Sequence, residues 1–290
     1  MTDGTVFIGG GFGSHEFYAF DAESGKPRWA IRVSDDGPTA AVVAGSRVVF
    51  NTESCTIFVV DARTGRQVWS RWLGDPLMSQ PAVAGGTVFM AHPGADGHRL
   101  IRLALDDGKT RWEAPIQGDI ISAPVIDKDA VYLATHDGTV YRFERESSKL
   151  VWKEGMHATS APSIDEKGEV HVARGEARGA ERYEALQQLS GASGAALGEP
   201  SARKKAAPAW AAGKVVVGTT AGSIEAYEAE SGKRVFSIEV GDPVRFQPAL
   251  VAGRVFVGTE RGTLVSVATG DASLDRWTMW GGGPRHNGAE

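Results

Sequence analysis

The chain runs to 290 residues, with 31 Lys and Arg against 36 Asp and Glu, a net charge of −5 and a single cysteine. The mildly acidic balance gives no electrostatic reason to expect a nucleic-acid partner, and one thiol excludes an internal disulfide framework. No run of about eighteen apolar residues is present, so no helical membrane span is expected, and Met1-Thr2-Asp3-Gly4 does not read as a secretory signal.

From the N-terminus onward one pattern returns about every forty residues: apolar-Asp-Ala-x-x-Gly-x-x-x-Trp. Phe20-Asp21-Ala22-Glu23-Ser24-Gly25 ends on Trp29, and Val60-Asp61-Ala62-Arg63-Thr64-Gly65 ends on Trp69. Weaker copies end on Trp112, Trp152 and Phe236, and Trp277 keeps the step. Between these marks the grammar is constant. A small-Pro-apolar element opens the unit, as in Gln80-Pro81-Ala82-Val83 or Ala123-Pro124-Val125-Ile126. An apolar β-rich run follows, such as Val131-Tyr132-Leu133-Ala134, then a tight turn, His136-Asp137-Gly138, and an alternating third strand from Thr139 to Phe143. The Asp-x-x-x-Gly turn leads into a fourth strand that carries the Trp. Four short strands joined by Gly and Asp turns predict an antiparallel sheet.

The units fall at Thr5–Val33, Pro38–Asp75, Pro76–Asp119, Ile120–Met156, His157–Ala206, Ala207–Asp242 and Pro243 to the end. One such sheet cannot bury both faces, whereas radial packing of several buries them and leaves only short edges. The expected fold is all-β: a seven-bladed β-propeller of four-stranded antiparallel blades, one domain over residues 1–290, with the recurring Trp packed between neighbouring blades. Two units are irregular. The fifth has Gly198 where the others have Trp, with a longer polar hairpin around Arg174–Arg182. The first lacks its opening strand. Either the tail from Trp277 to Gly288 closes the ring there, or residues upstream of Met1 are missing.

With Ala-Pro-Val and Val-x-Val-Gly elements beside it, the Asp-Ala-x-Thr-Gly-x-x-x-Trp repeat resembles the PQQ-like repeat family of β-propellers over almost the full length. The resemblance implies the propeller fold and leans towards a periplasmic or cell-envelope location. It does not imply a quinone cofactor for this chain. The quinone-dependent dehydrogenases of the superfamily are usually eight-bladed, and many carry an adjacent Cys-Cys disulfide and a carboxylate/Asn calcium shell. The single cysteine here cannot form that pair, and no clear calcium shell is present.

In a propeller, the turns between second and third strands and the connections between blades emerge on one face. That rule gathers His15, Cys55, His92, His98, His136, Met78 and His157 on the top face of the first four blades, and Arg174, Arg178, Arg182, Arg203, Lys204, Lys205, Arg245 and Arg261 on the last three. Aligned turns put Cys55 where other units carry Gly138, Gly222 and Gly262, so a left-handed backbone is expected at Cys55. Two readings of the face follow. The first is a non-catalytic recognition module that binds a protein segment or small ligand at the top face, with basic loops including Arg203, Lys204 and Arg245 drawing an acidic group. The second is a copper or zinc site, or a reactive thiol, centred on Cys55 with His136, His92, His98, His15 and Met78. No Cys-x-x-Cys or His-x-x-x-His spacing, phosphate loop or nucleophile elbow is present. His171 lies inside a strand and reads as structural.

Overall fold

The structure is a computed structural model that describes residues 3–74, 79–178, 181–202 and 205–275, without the side chains of 178, 181–183, 201–202 and 205–207. Among the described residues there are strands and turns and no helix. The strands form seven antiparallel sheets in chain order, the seven blades of a β-propeller. The second blade shows the plan: Val42–Ala44, Arg47–Asn51, Thr56–Asp61 and Gln67–Trp72 pair in sequence from the centre outward. The short first strands, Val42–Ala44, Ala82–Ala84 and Val125–Asp127, touch one another around the centre. The fifth blade carries the long hairpin Val170–Arg178 and Glu181–Leu189.

Burial grades outward, as radial packing requires. Arg47–Asn51 and Ala130–Ala134 are buried along almost every residue, whereas the outer strands Gln67–Trp72 and Arg234–Glu239 alternate exposed and half-buried. The first blade has three described strands, from Thr5 to Arg32, and the seventh has three, from Ala249 to Ala268. The tail expected to complete them lies outside the described residues.

The repeat motif makes the joint between blades. Asp61 Oδ1 accepts from Thr64 N at 2.9 Å and Thr64 Oγ1 at 2.7 Å, and Gly65 N donates to Asp61 O at 2.9 Å, which closes the turn. Gly65 takes φ +71, and a Cβ there would stand 2.8 Å from Trp29 Cε3 of the preceding blade. The glycine thus leaves a flat seat for the indole, and Trp29 Nε1 donates to Ala62 O at 3.0 Å. Trp69 does the same over Gly108, donating to Leu105 O at 2.7 Å. Trp112 donates to Arg145 O at 2.8 Å, and Trp152 to Gly191 O at 2.9 Å. Asp, Gly and Trp recur together because, from the second blade to the fourth, a blade supplies a seat to the blade before it and a ring to the blade after it.

Candidate functional site

Top-face turns and blade connections are knitted by backbone bonds. In the fourth blade His136 N donates to Asp119 O at 2.9 Å and Gly138 N to Thr135 O at 2.8 Å. The connection to the fifth blade lies against this turn: Met156 N and Ala158 N both donate to Gly138 O, at 3.1 and 3.0 Å. Gly138 has φ +87, and a Cβ there would come within 2.5 Å of His157 Cα, so only glycine lets the connection pass. His157 O accepts from Gly175 N at 2.8 Å, and Thr159 N donates to Ala173 O at 2.9 Å, fixing the connection to the long hairpin.

A cavity of about 1080 Å³ opens at this mouth. Its walls come from different blades and connections: His136, His157, Arg174, Glu176, Glu184 and Arg245. Arg174 Nε lies 2.9 Å from Glu176 Oε1, and Arg245 is ion-paired with Glu260. Burial pushes the Glu184 carboxyl above its usual value, against a hydrogen bond from Thr159 and the charge of Arg245. Burial also works on Asp137, but Thr135 Oγ1 at 2.5 Å and Thr139 N at 3.1 Å hold its carboxyl below the usual range. The cavity therefore offers two exposed imidazoles, two partnered guanidinium groups, and carboxyls with opposed protonation preferences.

Of the residues that the sequence gathers on the top face, His136, His157, Arg174 and Arg245 line this cavity together. Met78, Arg203 and Lys204 lie outside the described residues, as do the side chains of Arg178, Arg182 and Lys205. Arg261 pairs with Asp242 at 3.2 Å. Cys55 does take the left-handed backbone expected of it, with φ 61 beside 87, 92 and 80 at Gly138, Gly222 and Gly262. Its side chain is 0% exposed and belongs to the apolar core with Ile57 and Leu73. Burial pushes its thiol up to about 12, with the charge of Asp119 adding to the shift.

His92 and His98 were expected in a loop. The strands Thr87–Gly94 and Gly97–Ala104 run through that stretch instead, and His98 pairs with Pro93. His92 is buried, and its Nδ1 donates to the carbonyls of Leu73 and Pro93 at 3.1 and 2.8 Å. His15 Nδ1 sits 2.9 Å from Asp35 O in the first connection. Among the described residues no three His, Cys, Asp or Glu side chains gather as a metal centre requires. The Cys55 side chain thus lies in the apolar core, whereas His136 lines the cavity. His171 is structural, as expected: buried, with Nε2 3.1 Å from Asp165 Oδ2.

Two lining residues carried no sequence signal of their own. Glu184 and Thr159 carry no motif; the length of the fifth-blade hairpin was the one signal that pointed towards them.

A family model described as outer membrane protein assembly factor BamB matches residues 1–73, 55–181 and 182–283. The chain belongs to this family. The BamB of Nitrosomonas eutropha is 27% identical over 183 residues, 56% of this chain and 44% of that protein. Serine/threonine-protein kinase AfsK of Streptomyces griseus is 27% identical over 176 residues, 54% of this chain and 21% of the kinase. The chain thus spans less than half the length of either curated relative. Among solved structures, BamB from Moraxella catarrhalis superposes with a TM-score of 0.73 at 18% identity, over 91% of this chain and 82% of that one. A europium-containing methanol dehydrogenase superposes with a TM-score of 0.68 at 13% identity, over 92% and 71%. The BamB family and a dehydrogenase share the propeller, so the fold alone does not select an activity.

Proposed function

We propose that the chain is a non-catalytic recognition propeller of the bacterial cell envelope, and that it holds an extended protein segment at its top-face mouth. One observation carries this reading: a polar cavity of about 1080 Å³, walled by side chains from separate blades, with donors and acceptors interleaved. A peptide backbone presents alternating donors and acceptors, which such a wall can match. Membership of the BamB family supports an interaction role in the envelope. The guanidinium groups of Arg174 and Arg245 favour a segment bearing an acidic side chain, since a carboxylate can share the bonds they give to Glu176 and Glu260.

The test is a photo-crosslinking residue placed in turn at Thr159 and His157 in the mouth, and at Ser24 on the opposite face, in living cells. Adducts with a defined protein from the mouth positions alone are expected. Rebuilt with that purified protein, Arg174→Glu with Arg245→Glu should weaken binding about tenfold or more, a loss of roughly 1.4 kcal/mol. Equal adducts from both faces, or unchanged affinity in the double variant, would refute the mouth as the docking site.

A further inference from the structure

The fifth and sixth blades meet without the joint that the preceding blades share. Gln188 and Leu189 of the fifth blade correspond to Arg142 and Phe143 of the fourth: Ser190 N bonds Ala195 O as Glu144 N bonds Lys149 O. That register puts Gly198 at the place of Trp152. The sixth blade nevertheless keeps a seat of the same form. Gly232 has φ +65 with no described residue within 4 Å of an added Cβ, whereas a Cβ at Gly65, Gly108 or Gly194 would press on an indole. Three residues before it stands the Ala229 carbonyl, in the position of Ala62, Leu105, Arg145 and Gly191, which each accept an indole N–H. Ala229 O accepts no hydrogen bond among the described residues.

Between ring position and seat lies a separate cavity of about 210 Å³, lined by Gly198, Ala229, Gly232, Leu186, Val215 and Tyr227. His171 also lines it and stacks on Trp210 at 5.0 Å between ring centres. An apolar cavity of about 150 Å³ suffices for benzene, so this one has room for a bicyclic ring. The lining also includes the carboxylates of Glu199, Glu228 and Glu230, of which Glu230 is paired with Lys167. Their field disfavours an anionic ligand.

We propose that this gap is a binding site for an indole ring that carries no negative charge, with the ring over Gly232 and its N–H donated to the Ala229 carbonyl. The site shares no lining residue with the mouth and is independent of the function proposed there.

The test is calorimetric titration of the full chain with tryptamine, 1-methyltryptamine and indole-3-acetate, and with a short amidated peptide beginning with tryptophan. The first three probe a free indole and the peptide probes a tryptophan side chain. Saturable binding of tryptamine or of the peptide is expected, at about 0.1 mM. The N-methyl compound should bind about tenfold more weakly, because the carbonyl is then buried without its donor. Indole-3-acetate should also bind more weakly. Gly198→Trp, which returns the ring to the blade, should abolish binding. No saturable binding by tryptamine or peptide would overturn the proposal, as would equal affinity for the N-methyl compound. Because Gly198 has φ +77 the variant can misfold; in that case amide shift changes in the wild type decide the location. Shifts centred on Ala229 and Gly232 support the site, and shifts elsewhere refute it.

Discussion

Cys55 shows how one residue can satisfy a sequence expectation in its backbone and defeat it in its side chain. The turn asks for φ > 0, and Cys55 supplies 61 at a cost of roughly 1 kcal/mol. The same turn aims the sulfur into an apolar core, where a thiolate would lose its hydration and face the charge of Asp119. A thiol pushed up to about 12 is almost wholly protonated at neutral pH. Alkylation by iodoacetamide at pH 8 should therefore run about a thousandfold slower in the native protein than in the urea-unfolded chain. Comparable rates in the two states would restore the reactive-thiol reading.

At the scale of the element, the repeat motif is a joint made by two partners on neighbouring blades. Gly65→Ala should cost about 2–3 kcal/mol in urea unfolding, because a Cβ meets the Trp29 ring at 2.8 Å and the backbone sits at φ +71. Trp29→Ala should cost about 2–4 kcal/mol through the emptied space and the lost bond to Ala62. In the double variant the added methyl no longer meets a ring, so the losses should fall short of additive by about 1 kcal/mol. Strict additivity would show that the glycine serves only its own turn. This joint was legible in the sequence because it is local and repeated: each turn spans five residues, and the Trp follows four later. The vacancy at Gly198 was legible for the same reason. Glu184 was not, since it stands in an alternating polar strand that reads as a solvated face, and its partial burial comes from a connection some twenty-five residues earlier in the chain. The burial of the Cys55 side chain was not legible either, since it depends on side-chain direction. Alignment of turns predicts which residues share a face of the disc, not which of them turn inward.

At the scale of the whole molecule, the mouth cavity exists only when several blades stand in their places, and Glu184 reports on that assembly. Its carboxyl faces Thr159 from the preceding connection and Arg245 from a later one, and burial raises its folded-state pKa above the unfolded value. A raised carboxyl contributes stability that is fully present below the unfolded pKa of about 4.3 and is lost as pH climbs through the folded value. Glu184→Gln keeps the shape and has no such proton. The thermal midpoint of the wild type, less that of Glu184→Gln, should therefore fall as pH rises from about 4 and level off once the carboxyl is ionised. Asp35, Asp137 and Asp165, whose carboxyls lie below their usual values, generate the opposite slope at acid pH. They are present in both proteins and cancel in the difference, so a flat difference across the range would mean that Glu184 is solvated and that the blades do not close around it.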